Sequence, residues 1–188
     1  MRRDELIAQL SRLEAAALSD EQRRSMLLDW WGLGPEDRAW SSLPPHLQEE
    51  MRSCDEPGEP LDPRYEPLLA VGISRRYRGV KNAYLQRKAQ SLGIQVNTVE
   101  GEPETLHVCP CCHYRSLPER GEYTICNVCF WEDDGSDVPD HYSSPNHMTL
   151  RQGRENFSRY GACSERAISS GWIDPEMRDA YVRVDTER

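Results

Sequence analysis

The stretch CPCCHYRSLPERGEYTICNVCFWEDDG, residues 109–135, decides how the C-terminal half of the chain folds. It carries two C-x-x-C pairs, and thirteen residues separate Cys112 from Cys126. Zinc binds thiolates tetrahedrally, and each C-x-x-C turn can deliver two sulfurs to one ion. The residues between the pairs have room for a short hairpin, with Gly121 available for its turn. The spacing therefore predicts one structural zinc site of the zinc-ribbon type, with the ligands Cys109, Cys112, Cys126 and Cys129.

Three other interpretations of these cysteines remain open. A redox centre needs only one C-x-x-C pair, usually at a helix N-terminus, so two pairs favour a metal. Iron in a rubredoxin-like centre uses the same four ligands, although zinc is the default metal for a closed four-cysteine site. Cys111 lies inside the first turn and could replace Cys109 or Cys112, but the spacing of the second pair favours 109 with 112.

The remaining cysteines and the nearby histidines have simpler expected roles. His107 and His113 flank the first turn, and we expect them to be packing or surface residues rather than further ligands. Cys54 and Cys163 stand alone in the sequence and are expected to be ordinary buried thiols. The chain has seven cysteines, an odd number, which in a reducing compartment indicates metal binding rather than a disulfide framework.

The formal net charge of the 188-residue chain is -9 at pH 7. Phosphate contacts require a basic surface, so this balance argues against a nonspecific nucleic-acid binder. It favours a basic protein partner, which long-range attraction would steer toward the chain. Asp4 and Glu5 interrupt the first apolar run before it could form a secretion signal or membrane span, so we expect a cytoplasmic protein without a membrane segment.

Apolar periodicity and capping patterns predict helices on both sides of the cysteine region. The first helix has one apolar stripe, formed by Leu6, Leu10, Leu13 and Ala17. Ser19 forms a capping box that starts a second helix, and Trp30 and Trp31 on that helix are expected to pack in the core. Thr149 forms another capping box, which starts a final helix that can cover the ribbon.

These patterns together predict an α+β protein with two parts. Residues 1–98 form a helical region that contains an acidic, proline-rich connector at residues 54–65. Residues 99–188 form a small zinc-ribbon-like β domain covered by a C-terminal helix.

The run from Cys109 to Gly135 closely resembles the bacterial cysteine-rich family named after its C-P-C-C motif. The resemblance continues through Pro145, Asn146, His147, Leu150, Asn156, Phe157, Gly161 and Ala162. One departure is His113, where glycine is expected because the position after the first turn often needs a positive φ. The resemblance implies a zinc-ribbon-like module, in proteins some of which look like immunity proteins of interbacterial toxin systems. It implies no catalytic activity.

The acidic loop that follows Trp131 has two interpretations besides a solvated surface. It could bind calcium, but its spacing departs from the EF-hand pattern and lacks the final glutamate. It could instead dock basic residues of a partner, with an exposed Trp131 beside the carboxylates. Those carboxylates belong to Glu132, Asp133, Asp134, Asp137 and Asp140.

The leading hypothesis is a non-enzymatic, zinc-binding protein-interaction module. In this hypothesis the chain is an immunity protein that neutralises a bacterial toxin, such as a basic nuclease, by binding it directly. No nucleophile elbow, phosphate-cradling glycine loop or paired-carboxylate motif stands out in the sequence, which argues against an enzyme.

Two alternatives to this hypothesis come from other parts of the sequence. The first is a DNA-binding transcriptional regulator that uses zinc as a scaffold and a basic segment weakly similar to a recognition helix. The segment carries Arg75, Arg76, Arg78, Lys81, Arg87 and Lys88, which are expected to form a solvated helix face. The second is a metal-dependent hydrolase that uses His147 and Asn156, for which a structural hydrogen bond is the simpler role.

Overall fold

A computed structural model describes residues 1–171 and 173–184 of the chain. They form two compact units: a helical unit, Met1–Tyr77 with Gln86–Gly101, and a cysteine unit, Arg78–Leu85 with the described residues from Glu102 onward. Helices together with short two-stranded sheets confirm the predicted α+β fold. The predicted domain boundary between residues 98 and 99 stays a prediction. Within the part of the chain that is described, no helix has the length and apolar character needed to cross a lipid bilayer.

The helical unit is built from helices joined by short 3-10 turns. The helices are α1 (Arg3–Ala16), α2 (Asp20–Trp30), α3 (Pro45–Ser53), α4 (Glu66–Ser74) and α5 (Asn82–Ser91), of which α5 begins in the cysteine unit. The 3-10 turns are Trp40–Ser42, Pro63–Tyr65 and Arg75–Tyr77. Helix α4 packs against both α1 and α2, so it lies at the centre of this unit.

The sequence patterns of α1 and α2 explain how both helices form. Leu6 and Leu10 on α1 are fully buried, as predicted, whereas Leu13 is 44% exposed, so the buried stripe is narrower than predicted. At the start of α2, the Ser19 hydroxyl accepts a hydrogen bond from the Gln22 N–H at 3.3 Å. The Gln22 side chain accepts one from the Ser19 N–H at 2.9 Å, which completes the predicted capping box.

The connector at residues 54–65 belongs to the helical unit and is held by side chains on both of its flanks. The Tyr65 hydroxyl accepts a hydrogen bond from the Gly58 N–H at 2.8 Å and donates one to Glu50 at 2.5 Å. The Arg23 guanidinium, which is buried, donates to the Pro60 carbonyl at 2.9 Å. These contacts fix a segment whose composition alone predicts an extended linker.

Trp31 lies in the core as predicted, whereas Cys54 corrects an expectation. The indole N–H of Trp31 donates to the Cys54 carbonyl at 2.9 Å, and Trp31 is 7% exposed. The thiol of Cys54 is exposed, not buried as expected, because the residue caps the end of α3, where the chain leaves the helix. The main-chain carbonyl of Cys54, not its side chain, is the part that contacts the core.

The cysteine unit contains two small antiparallel sheets and three helices among its described residues. Strand β1 (His107–Val108) pairs with β2 (Arg115–Leu117), and β3 (Tyr142–Ser143) pairs with β4 (Met148–Thr149). Helix α6 (Leu150–Tyr160) starts at the predicted Thr149 capping box, and α7 (Glu165–Ser169) and α8 (Met177–Ala180) follow it. Residues 182–184 then pair with residues 113–115 through two backbone hydrogen bonds of 2.9 Å.

Candidate metal centre

The four cysteines of the two C-x-x-C pairs lie together in the cysteine unit. Cys109 Sγ is 3.7 Å from Cys129 Sγ, and Cys112 Sγ is 3.6 Å from Cys126 Sγ. All four sulfurs lie within 4.8 Å of one another, and each residue is at most 1% exposed. Sulfurs bound to zinc at about 2.3 Å would be about 3.8 Å apart, which is the edge of the tetrahedron they form. The four thiols are therefore positioned to bind one metal ion.

Each pair lies in a tight turn, the first knuckle being residues 109–113 and the second knuckle residues 126–130. In both turns the N–H of the fifth residue donates to the carbonyl of the first cysteine, at 3.0 Å in the first knuckle and 2.9 Å in the second. The N–H of the first cysteine donates to the carbonyl of the residue that follows the turn, at 2.8 Å in both. The two knuckles thus share one backbone geometry, which points two thiols of each toward the same place.

The residue after each cysteine pair has a left-handed backbone. His113 has a φ of 63°, which confirms the positive φ predicted at this position, and glycine would adopt it with less strain. Phe130 holds the equivalent place in the second knuckle with a φ of 67°. Sequence reasoning missed Phe130, although its position directly after the second pair is the same signal that identified His113.

Burial of the sulfurs controls their protonation. It raises the pKa of Cys109, Cys112 and Cys129 well above the ordinary thiol value. Burial also acts to raise the pKa of Cys126, but hydrogen bonds from the other three thiols and from Ser116 outweigh it and lower that pKa well below the ordinary value. A divalent cation stabilises thiolates, so binding at this site would release protons. Four buried sulfur donors fit zinc or iron and fill every position of a tetrahedral ion.

Helix α6 covers the site, as predicted for the helix that starts at the Thr149 capping box, although it is not the final helix as predicted, because α7 and α8 follow it. A Cβ atom at Gly153 would lie 2.7 Å from the Trp131 ring and 3.4 Å from Cys111 Sγ, so a glycine is what lets the helix approach this closely. Arg154 on the same helix donates to the Pro110 carbonyl at 2.9 Å. The helix is thereby anchored both to the first knuckle and to the indole that follows the second.

Residues 181–184 contact both knuckles. A backbone bridge joins Arg183 to Tyr114, and the Arg183 guanidinium lies 5.9 Å above the Tyr114 ring. The Tyr181 hydroxyl, which is buried, accepts a hydrogen bond from Asn127 in the second knuckle at 3.0 Å. This segment therefore links two turns that are distant from it in sequence.

Cys111 and Cys163 lie outside the four-sulfur group. Both are buried, as expected for Cys163, whose N–H donates to the Cys129 carbonyl at 2.7 Å. Burial, followed by the nearby Cys111, raises the pKa of the Cys163 thiol to about 12. His107 is exposed and His113 is half-buried, and burial together with two nearby arginines lowers the pKa of His113.

Trp131 and Asp133 correct the interpretation of the acidic loop as a free docking surface. Trp131 is only 1% exposed, because its ring packs on α6. It is therefore not the exposed aromatic that the docking interpretation requires. Asp133 is fully buried, and its Oδ2 accepts hydrogen bonds from Arg120 at 2.9 Å and from the Gly121 N–H at 2.7 Å. Arg120 also binds Asp137 at 2.9 Å, so a cation already lies between two of the carboxylates considered for calcium.

Asp134 and Asp140 of this loop also have partners within the chain. Asp134 lies 3.6 Å from the His141 imidazole, and both oxygens of Asp140 accept hydrogen bonds from Arg151 at 2.8 and 2.9 Å. This Arg151 contact lowers the pKa of the exposed Asp140 carboxyl. The loop is therefore held to the rest of the unit by its own charges.

Some of the residues behind the two alternative hypotheses have structural partners. The Asn156 amide donates to the Cys163 carbonyl at 2.8 Å, which confirms its predicted structural hydrogen bond, whereas His147 is exposed. In the basic segment, Arg75 pairs with Asp37, and Lys88 pairs with Glu14 at 2.9 Å. Two of the six basic side chains are thus engaged with carboxylates of their own unit.

Three residues that support the site have no local signal in the sequence. The Asn146 side chain accepts a hydrogen bond from the Glu132 N–H at 2.9 Å and donates one to the Glu132 carbonyl at 2.7 Å. It thus pairs with the Glu132 main chain in the way that the backbone of a neighbouring strand would. Ser116 places its hydroxyl 2.9 Å from Cys126 Sγ. Tyr181 is the third, and like the others it depends on a residue far away in sequence.

Comparison with known proteins bears on the cysteine unit alone. Residues 107–179 match the model of the cysteine-rich CPCC family, which confirms the family resemblance over this segment. The match begins at β1, includes both knuckles and α6, and ends before Tyr181. No curated protein and no solved structure matches the chain significantly.

Proposed function

We propose that the four cysteines hold one structural zinc ion, and that the unit it stabilises is a non-enzymatic module that binds a protein. The observation that carries this proposal is the closed set of four buried thiols, whose sulfurs all lie within 4.8 Å of one another. With four protein ligands, zinc keeps no open position at which water or substrate could bind, so its role is to stabilise the fold. Function then lies on the surfaces that the ion holds in place.

Several exposed side chains in the cysteine unit are of the types found in protein-binding sites. Four apolar side chains are largely exposed on or beside the acidic loop: Tyr123 61%, Ile125 43%, Val138 61% and Tyr142 57%. Ile125 lies opposite Glu132 in an antiparallel bridge, so their side chains share one face of this ladder. Exposed aromatic and aliphatic residues with charged neighbours are typical of interaction sites.

The charge around these residues supports a basic partner. Residues 119–140 contain seven carboxylates and one guanidinium, and four thiolates around zinc add a further formal charge of about -2. Several of these carboxylates have partners in the chain, but Glu119 and Glu122 are exposed in the bends that follow β2. A field of one sign accelerates association with a partner of the opposite sign. We propose that this partner is a toxin, such as a basic nuclease, which the chain neutralises as an immunity protein.

Metal analysis tests the zinc part of the proposal. Purified protein should contain about one equivalent of zinc, as the closed four-thiol set requires. One equivalent of iron would retain the site but change the metal, and well under one equivalent of either would contradict the assignment. The exposed Cys54 provides the control, since Cys54→Ala should leave the metal content unchanged.

Co-expression with the product of the adjacent gene tests the protein-binding part. We expect a stable complex whose association rate falls as salt rises, because screening removes the electrostatic attraction. The double variant Tyr123→Ala with Ile125→Ala should weaken the complex at least about 10-fold, as truncation of an interface anchor does. Leu28, at 52% exposure on α2, provides the matched control Leu28→Ala. Repeated failure to find a tight partner would contradict this part, as would an equal effect of both sets of variants.

A further inference from the structure

Ser116 lies where it can act on the metal site without being a ligand. It is on β2 and is 1% exposed, and its hydroxyl oxygen is 2.9 Å from Cys126 Sγ. The other acceptor near this hydroxyl is the Tyr114 carbonyl, at 3.4 Å. The hydroxyl oxygen is therefore closer to the Cys126 sulfur than to the Tyr114 carbonyl oxygen.

The direction of this hydrogen bond follows from the chemistry of a bound metal. A metal-bound cysteine is a thiolate and has no proton to donate, so the Ser116 hydroxyl must be the donor and Cys126 the acceptor. The Val128 N–H also points to Cys126 Sγ, at 3.4 Å. Since Ser116 and Cys126 are each 1% exposed, bulk water does not reach this contact to replace a lost donor.

We propose that Ser116 tunes the metal site by donating a hydrogen bond to the Cys126 thiolate, and so sets how firmly this sulfur holds the ion. The inference rests on the proposed metal site and adds a residue to it that no spacing rule identifies. A hydrogen bond to a charged acceptor is stronger than one between neutral groups. Here it stabilises the thiolate against protons and electrophiles that compete with the metal for its lone pairs.

The rate of zinc transfer to a chromophoric chelator measures this effect. Outer-shell partners of metal ligands typically change metal affinity by about 10–100-fold, so Ser116→Ala should release zinc about 10-fold faster than the unchanged chain. Ser116→Thr, which keeps a hydroxyl, should restore most of the difference. The matched control is Ser11→Ala in the helical unit, because Ser11 is as buried as Ser116 but donates to the Ile7 carbonyl at 2.7 Å.

Cobalt substitution provides a readout that a purely structural role of Ser116 would not change. Loss of the hydrogen bond raises the energy of the sulfur lone pairs, so the sulfur-to-cobalt charge-transfer band of Ser116→Ala should move to longer wavelength, and that of Ser11→Ala should not. Equal zinc release by the two alanine variants, with unchanged cobalt spectra, would overturn the inference. An unchanged chain that takes up well under one equivalent of metal would instead contradict the proposed site itself.

Discussion

The two units differ in what fills their interiors. The core of the helical unit consists mainly of large aliphatic side chains with no exposure, among them Leu6, Leu10, Leu27, Leu47, Leu68, Leu69 and Ile73. The core of the cysteine unit contains six of the seven cysteines, together with Trp131, Tyr181 and a few aliphatic residues. Its strands are only two or three residues long. A small unit with so little apolar surface needs a cross-link, and a bound metal is the cross-link that its thiols can form.

Removal of one thiol should have the largest effect and separate the two units most clearly. Structural zinc contributes about 10–16 kcal/mol in zinc-finger peptides, comparable to the roughly 5–15 kcal/mol of a whole domain, so Cys126→Ala should unfold the cysteine unit. Amide hydrogen exchange should show lost protection at both knuckles and retained protection in α1 and α4. Cys54→Ala is the matched control, because Cys54 is exposed. Intact metal content and unchanged exchange in Cys126→Ala would contradict this contrast.

A cavity in the helical core should have the second-largest effect and the opposite distribution. Leu69 on α4 has no exposure, and a buried Leu→Ala change costs about 2–5 kcal/mol. We expect Leu69→Ala to lower the free energy of unfolding of the helical unit by that amount, as measured by denaturant titration, and to leave the metal content unchanged. Leu61→Ala, at a residue that is 53% exposed, should change stability by less than about 0.5 kcal/mol. Loss of metal from Leu69→Ala would contradict the idea that an aliphatic core stabilises one unit and a metal ion the other.

A methyl group at the face of α6 should have a smaller effect, confined to the cysteine unit. A Cβ at residue 153 would come within 2.7 Å of the Trp131 ring, and added atoms in a packed interior cost about 1–3 kcal/mol. Gly153→Ala should therefore lower the melting temperature of the metal-loaded unit and speed zinc release. Gly32→Ala serves as the control, because no atom lies within 4 Å of its Cβ position. Equal stability of the two variants would mean that α6 is not held against the indole.

Loss of the Tyr181 hydroxyl should have the smallest effect on stability. Removing its hydrogen bond with Asn127 should cost about 0.5–1.5 kcal/mol at neutral pH. Burial, partly offset by this bond, raises the Tyr181 pKa to about 12, whereas the unfolded phenol ionises near pH 10. The neutral phenol thus adds stability below pH 10, and this addition is lost as the pH rises from 10 to 12.

Denaturation at several pH values measures both effects of Tyr181. Tyr181→Phe should be less stable than the unchanged chain at pH 8 and should lose less stability between pH 10 and 12. The matched control is Tyr142→Phe, because Tyr142 is 57% exposed. The same alkaline loss in all three proteins would show that the buried phenol does not contribute to it.

Local patterns explain which features could be predicted from the sequence. The two C-x-x-C pairs predict four sulfurs in one place, because each turn is short and defines its own backbone. The capping boxes at Ser19 and Thr149 predict the starts of α2 and α6 for the same reason. The left-handed backbone at His113 follows from its place after a pair. In each case the decisive contact lies within a few residues.

Errors arose where a side chain depends on a distant partner. Asp133 looks like its acidic neighbours in the sequence, but its burial depends on Arg120, thirteen positions earlier in the chain. The docking interpretation of the acidic loop takes Trp131 as exposed, yet the environment of this side chain depends on Gly153 of α6. Cys54 could be assigned as buried only from the general tendency of cysteine, and the end of α3 overrides that tendency.

The pairing of residues 182–184 with the first knuckle also has a consequence for biosynthesis. Tyr114 and Arg183 form one bridge but are about seventy residues apart, and at 5–20 residues per second the ribosome takes roughly 3 to 14 s to make that interval. Throughout this delay, the strand edge beside Tyr114 has been made while its partner has not, and Asn127, made thirteen residues after Tyr114, also waits for Tyr181. All four ligand cysteines leave the ribosome before residues 181–184 do. A metal ion can therefore bind the cysteines of the nascent chain before the segment that links the two knuckles has been made.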